Sequence, residues 1–240
     1  MSRLDDITTT LQVTDELFDT IKGGYHQSLR SKAIDPKLTV YIKNYLENLR
    51  SCLDYIASEI AENILSIQKS HKPYYPVACQ DATQFRKHVD KNLPGLETVH
   101  PTLFSKLEAL QPWNQEGCRA LPKLSKLVND NKHDQLSAQT RTESKGLRIR
   151  FPGGAGIDIG AGASISGGGI IGSGDGWITP GGGTISGDSP ATIGQNVQQT
   201  VQVWVSFSFT ETGDEVLTLL DECRLDVRRI VSELTPDLFP

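Results

Sequence analysis

Asn48-Leu49-Arg50-Ser51-Cys52-Leu53-Asp54-Tyr55 decides the fold, and it lies near the middle of a segment from Asp35 to about Ile67. Apolar residues recur in this segment at steps of three and four: Leu38, Ile42, Tyr45, Leu49, Cys52, Leu53, Ile56, Ile60, Ile64 and Ile67. This spacing places them on one stripe of an α-helix. Asp35 can cap the first turn, and Pro36 suits the first helical position because its missing N–H needs no partner there. The segment therefore predicts one long amphipathic helix.

Two charged residues, Arg50 and Asp54, lie four positions apart on the flank of this predicted helix. That spacing favours an ion pair across one helical turn. Leu46, Ala57 and Ala61 continue the same flank, and its small side chains let a second helix come close. We therefore expect the Arg50–Asp54 pair to be half buried.

Other helices are predicted by the same periodicity together with capping residues and glycine or proline stops. They comprise a helix from about Leu4 to Lys22 ended by Gly23-Gly24, a short helix after Asp81, a short helix opened by Pro101, a helix through Leu121 to Asn131-Lys132-His133, and a last helix after the capping box Thr212-x-x-Glu215. Up to residue 140 the pattern is typical of a helical bundle.

The composition changes after Gly146. Fifteen of the thirty-five residues from Gly153 to Gly187 are glycine, which is costly to order, yet the isoleucines interleaved with them argue against a pure linker. Gln199 to Thr210 alternates apolar and polar residues, as a strand with one apolar face does. Leu147 to Phe151 alternates likewise and is its expected antiparallel partner. We predict a β-arm that contains a loose glycine-rich excursion.

These patterns predict an α+β protein that is mainly α. Residues 1–140 plus 213–236 form a helical bundle, and residues 146–211 form a glycine-rich β insertion before the C-terminal helix. The last helix is expected to pack back on the helix that starts at Asp35.

Composition limits the classes of function. The chain has 240 residues, a net charge of −5 and a pI near 5.6, so no overall basic field draws it to DNA or acidic lipid. No apolar run is long enough to span a membrane, and the start lacks the apolar core of a signal peptide. The four cysteines are far apart without a CxxC pair, which indicates free thiols and no zinc. We expect a cytoplasmic protein with no metal, no membrane partner and no DNA partner.

The glycine-rich segment contains motifs that resemble cofactor sites. Gly167-x-Gly169-x-x-Gly172 spells a dinucleotide fingerprint, but no helix is predicted after it. Gly153-Gly154-x-Gly156-x-Asp158 resembles one turn of a calcium β-roll without the adjacent repeats that share the ligands. We predict no cofactor.

Four motifs occur in a fixed order: Asn-Leu-Arg-Ser-Cys-Leu-Asp-Tyr at 48–55, Tyr-Pro-Val at 75–77, Leu-Gln-Pro-Trp-Asn at 110–114, and Leu-x-Asn-Asp-Asn-Lys-His at 127–133. This order resembles a widespread group of bacterial helical proteins with an LRSALD, FPI, LQPY and DKH series. The group is similar to the HEPN superfamily. The resemblance covers about residues 35 to 137 and leaves the glycine-rich insertion outside.

The HEPN resemblance implies a helical bundle, dimerisation and, in active members, metal-independent cleavage of RNA. Such members carry an arginine and, a few residues later, a histidine. The arginine holds the phosphate and the histidine moves protons near neutral pH. This chain departs from that pattern, because Val128 takes the place of the arginine before His133. An apolar side chain cannot bind a phosphate.

A substitute nuclease site remains an alternative if the helices of Asp54 and His133 lie side by side. It would use Lys132 for the missing arginine, together with Arg50, Asp54, Asn129, Asn131 and His133. In the structural interpretation, which we favour, Arg50–Asp54 is an ordinary ion pair and His133 hydrogen-bonds a helix end.

Two functions follow as hypotheses. The first is a non-catalytic or degenerate HEPN-like interaction module that forms a homo-oligomer, a dimer or larger, through bundle and β-arm. Its β insertion could also dock on another protein. The alternative is a metal-independent HEPN-type endoribonuclease that acts on RNA as a toxin or phage-defence effector. The missing arginine and the acidic pI favour the first.

Overall fold

The computed structural model describes residues 2–31, 33–68, 72–77, 79–133, 139–151, 156–159, 164–166, 171–173, 176–179, 184–186, 192–193, 197–210 and 212–239. The chain divides into two compact units. One comprises Met1–Thr140 with Ser208–Pro240, and the other is Arg141–Phe207. The protein is mainly helical with small antiparallel sheets, as the sequence predicts.

The first unit is a set of helices. They are α1 (Arg3–Ser31), α2 (Pro36–Glu59), which continues as a π-helical turn over Ile60–Ile64, α3 (Ala82–Asn92), α4 (Leu96–Val99), α5 (Pro101–Ala109), α6 (Leu121–His133) and α7 (Val216–Leu238). The helices predicted after Asp81 and Pro101 and through Leu121 are confirmed. The single turn α4 was not predicted.

Helix α2 begins as its sequence indicates, with the Asp35 side chain accepting a hydrogen bond from the Lys37 N–H at 2.9 Å. Its apolar stripe is buried against α1, α6 and α7. The Tyr45 hydroxyl, on that stripe, donates to the carbonyl of Leu220 on α7 at 2.9 Å. The last helix therefore packs on the helix that starts at Asp35.

Helix α1 does not end at Gly23-Gly24, so that prediction is wrong. The helix continues to Ser31 and buries Tyr25 and Ser28. Gly24 is needed for packing rather than for a stop, because a Cβ there would lie 2.8 Å from Cδ2 of Leu38 on α2. Close packing of the two helices outweighs the helix-breaking tendency of glycine, which is about 1 kcal/mol per residue.

The capping box predicted before α7 is also wrong in detail. Glu215 is itself the N-cap, and its carboxylate accepts from the N–H of Thr218 at 2.7 Å. Thr212 instead accepts from the Asp214 N–H at 3.4 Å. The Tyr25 hydroxyl of α1 donates to the same Glu215 carboxylate and so helps to hold it at the start of α7.

The second unit is built from short strands. They are β1 (Gln139–Arg150), β2 (Gly156–Ile159), β3 (Ser164–Ser166), β4 (Ile171–Ser173), β5 (Gly176–Thr179), β6 (Thr184–Ser186), β7 (Thr192–Ile193) and β8 (Gln198–Phe209), with the ends of β1 and β8 reaching into the first unit. Among the described residues, the strands form sheets with the orders β2-β1-β8, β3-β6 and β4-β5-β7. β1 and β8 are neighbours as predicted, but β1 starts eight residues before Leu147, at Gln139.

The apolar face of the first sheet is formed by alternate residues of β1 and β2. Leu147 lies opposite Ile159, and Ile149 lies opposite Ile157. Leu147, Ile149, Phe151 and Ile159 form a buried cluster against which the partly buried Ile157 and Val197 pack. Two isoleucines of the glycine-rich segment therefore cover their own sheet.

All four cysteines are free and buried. None of the helices in the described ranges is long and apolar enough to cross a membrane.

Candidate functional site

A pocket of about 610 Å³ lies in the helical unit, beside Arg50 of α2. Four elements contribute to it: α2, the segment over residues 72–77 before α3, which we call the extended segment, α3 itself, and α6. We call it the Arg50 pocket, and it is lined by Arg50, Asp54, Lys72, Tyr74, Val77, Cys79, Gln84, His88, Lys91, Asn92, Ser125, Val128 and Asn129.

Arg50 and Asp54 line the pocket as a two-point ion pair. Arg50 Nε lies 3.2 Å from Asp54 Oδ2, and Arg50 Nη2 lies 3.2 Å from Asp54 Oδ1. The side chains are 14% and 30% exposed, which agrees with the half-buried pair expected from the sequence. Asp54 also accepts from the N–H of Tyr75 at 3.4 Å. The pair thus joins α2 to the extended segment.

Tyr74 also lines the pocket and is 52% exposed. Its backbone is held on both sides: its N–H donates to Asn92 Oδ1 at 3.2 Å, and its carbonyl lies 2.9 Å from Nε2 of His88. The guanidinium carbon of Arg50 lies 6.0 Å from the centre of the Tyr74 ring. A cation and an aromatic face can attract each other at this distance.

Helix α3 supplies one wall, because Gln84, His88, Lys91 and Asn92 follow each other at steps of four, three and one. Asp81 starts this helix by accepting from the Gln84 N–H at 2.8 Å. Asn92 is buried, and its Nδ2 donates to the His88 carbonyl at 2.9 Å. The cap and this hydrogen bond hold the wall in place.

Helix α6 lines the pocket through Ser125, Val128 and Asn129, which share one face at steps of three and one. Of the predicted site residues, Arg50, Asp54 and Asn129 therefore lie at one pocket. Lys132 and His133 follow Asn129 within α6, but their side chains lie outside the described residues, as does that of Asn131.

The charges at the pocket are mostly positive. Arg50, Lys72 and Lys91 face one carboxylate, Asp54, which is already paired with Arg50. Burial lowers the pKa of His88, and the neighbouring Arg50 and Lys91 act in the same direction, while the hydrogen bond to the Tyr74 carbonyl and the charge of Asp54 oppose it. A histidine whose pKa lies below 6.5 is mainly neutral at pH 7, and Nε2 of His88 is within hydrogen-bond distance of the Tyr74 carbonyl.

The thiol at this pocket is not a nucleophile. Cys79 is 4% exposed, and burial raises its pKa to about 11. A reactive cysteine needs a lowered pKa, since the thiolate is the attacking form. The buried thiol acts as a small apolar residue, as expected for buried cysteines.

Sequence reasoning missed His88, Lys72 and Lys91. No arginine precedes His88 at the spacing of the HEPN motif, whereas Arg50 approaches it through the fold. The spacing of Gln84, His88 and Lys91 on a capped helix was the signal that could have indicated a polar face.

Within the described ranges no group of histidine, cysteine and carboxylate side chains could hold a metal ion. No protein-family model, curated protein or solved structure matches this chain.

Proposed function

We propose that this protein is a non-catalytic, HEPN-like binding module whose Arg50 pocket holds a phosphate group of RNA. The observation that carries the proposal is the excess of cations at this pocket in a chain whose net charge is −5. Lys72, Lys91 and Arg50 come from three different elements. Their convergence is a local exception to the acidic composition.

The polar groups around these cations suit an oxyanion. Ser125, Asn129 and Gln84 can each donate a hydrogen bond, and Arg50 keeps N–H groups beyond those that Asp54 uses. Charge-assisted bonds to phosphate are stronger than neutral ones. A pocket of about 610 Å³ has room for a phosphate and the sugar that carries it.

Binding without cleavage is favoured by the residue that stands in the place of the catalytic arginine. The position before His133 that carries arginine in active HEPN members is Val128, a buried apolar residue at the same pocket.

The first test compares two lysines on α3. Lys91 lines the pocket, whereas Lys87 is exposed one turn earlier and does not. We expect Lys91→Ala to weaken the binding of a labelled single-stranded RNA by about threefold to tenfold, because one phosphate contact is lost. Lys87→Ala should leave the affinity unchanged. Fluorescence anisotropy at 50 and 200 mM salt measures both.

Equal losses from Lys87→Ala and Lys91→Ala would mean that RNA binds a diffuse surface, and no RNA binding by the wild type would remove the proposal. The same samples are run on a denaturing gel. We expect the RNA to keep its length.

The second candidate function is the metal-independent ribonuclease. It is favoured by one observation, that His88 lines the same pocket as Arg50. RNA cleavage in the presence of a chelator that is lost in His88→Ala, while RNA binding is retained, would select this function over the non-catalytic one.

A further inference from the structure

We propose that strand β1 is a dimerisation edge that pairs in antiparallel fashion with β1 of a second copy of this chain, centred on Thr142. The inference concerns the β unit and does not depend on the Arg50 pocket. It specifies one edge, one partner and one register for the assembly.

Over much of its length, one edge of β1 has no partner strand among the described residues. β1 has twelve residues and lies between β2 and β8. β2 is described over Gly156–Ile159, and its register there pairs with β1 from Leu147 to Arg150. Over 139–146, no strand in the described ranges pairs with β1 on the β2 side. Unpaired N–H and carbonyl groups along an edge are a template for another strand.

Residues 140–143 of this stretch are exposed on both faces. Thr140, Arg141, Thr142 and Glu143 are all exposed, although successive residues of a strand point to opposite faces. The Thr140 hydroxyl lies 2.9 Å from that of Thr210, just after β8. This is expected when the start of β1 lies beside the end of an antiparallel β8. A two-stranded ribbon with both faces in water is marginally stable, and an added strand stabilises it.

The charges of the strand select a second copy as the occupant. Arg141 and Glu143 lie two apart on one face, and in the single chain they form an ion pair at 36% and 31% exposure. In antiparallel pairing of two copies centred on Thr142, Arg141 of each copy lies opposite Glu143 of the other. Two cross-strand ion pairs form, related by the two-fold axis of the dimer.

Neighbouring registers are disfavoured by the same charges. Pairing centred on Glu143 would place Arg141 opposite Lys145, which are like charges. Pairing centred on Arg141 would place that arginine opposite its own copy. Directly opposed like charges destabilise a sheet, so the strand is self-complementary only about Thr142.

Cysteine cross-linking tests the register. In Thr142→Cys the two new cysteines lie directly opposite each other, with Cα atoms about 4.5 to 5.5 Å apart, within the range of a disulfide. In the control Thr140→Cys each cysteine lies opposite residue 144, and the two cysteines are roughly 13 Å apart along the strands. The native cysteines are buried and do not compete. We expect a covalent dimer from the full-length Thr142→Cys protein under mild oxidation and none from the control.

Charge reversal tests the partner. In Arg141→Glu both opposed pairs become acidic, and in Glu143→Arg both become basic. We expect each variant to weaken dimerisation by at least about tenfold in light scattering coupled to gel filtration. The double variant R141E/E143R should dimerise like the wild type. A mixture of the two single variants should form heterodimers, because every opposed pair is again of opposite sign.

These outcomes separate the dimer from a loss of the ion pair within the chain. That internal pair stays broken in the mixture, so recovered dimerisation can come only from contacts between copies. A monomeric wild type, single variants that keep the wild-type mass, a mixture without heterodimers, or equal cross-linking of the two cysteine variants would each overturn the proposal.

Discussion

At the scale of single residues, the Arg50–Asp54 pair sets the charge of the pocket. Asp54 neutralises the arginine and holds its guanidinium against the extended segment through the Tyr75 N–H. A group that stabilises the fold in this way also competes with any bound anion. The two effects can be separated by removing the charge while keeping the shape.

Asp54→Asn should strengthen RNA binding and weaken the fold. The neutral amide no longer competes for Arg50, so the affinity should rise, while the free energy of unfolding should fall by about 1 kcal/mol because a half-buried cation loses its partner. Anisotropy and urea denaturation measure the two quantities. Weaker binding by a folded variant would instead mean that Asp54 positions Arg50 for the ligand.

His88 should make stability depend on pH below neutrality. Its pKa in the folded protein is lower than the ordinary value of 6.5, chiefly because of burial. The unfolded chain therefore binds a proton more readily, and stability that is present above pH 6.5 is lost as the pH falls through the folded pKa. His88→Gln should flatten the stability profile between pH 7 and pH 5 in urea denaturation. An unchanged slope in that variant, matching the control His26→Gln, would contradict this.

At the scale of elements, helices begin and end where their neighbours allow. Helix α6 receives its cap from another helix, since the N–H of Ala120 donates to Oδ2 of Asp226 on α7 at 2.7 Å. Burial raises the pKa of this carboxyl. Helix α1 continues through Gly23 and Gly24. The missing side chain of Gly24 lets Leu38 of α2 pack closely against α1.

The two glycines of α1 should respond differently to alanine. A Cβ at Gly23 meets nothing within 4 Å, so Gly23→Ala should stabilise the protein by up to about 1 kcal/mol through helix propensity. Gly24→Ala gains the same propensity but displaces the buried Leu38. We expect it to be about 1 kcal/mol or more less stable than Gly23→Ala in thermal or urea unfolding. Equal stabilisation by both substitutions would show that α1 and α2 are not closely packed at Leu38.

At the scale of the whole molecule, the chain leaves the helical unit after Thr140 and returns at Ser208. The two ends are close, because the hydroxyl groups of Thr140 and Thr210 lie 2.9 Å apart. The helical unit has its own buried core, with α7 packed on α2. A unit with its own core and adjacent chain ends can tolerate removal of an insertion.

Replacing residues 142–206 by a short glycine-serine linker should leave the helical unit folded. We expect helical circular dichroism in proportion to the remaining residues, one cooperative unfolding transition, and RNA binding like that of the intact protein. Dimerisation through β1 should be lost. A shortened protein without a cooperative transition would mean that the helical unit needs the β unit to fold.

The sequence by itself determined the helices with strong periodicity and local caps, the alternating strands, and the Arg50–Asp54 pair, because each depends on residues within one or two turns of each other. The tertiary structure decided the length of α1, the cap of α7 and the pocket. Gly24 and Glu215 depend on Leu38 and Tyr25, which lie far away along the chain. His88 became part of the candidate site only because folding brings α3 to Arg50, and spacing along a chain does not encode that distance.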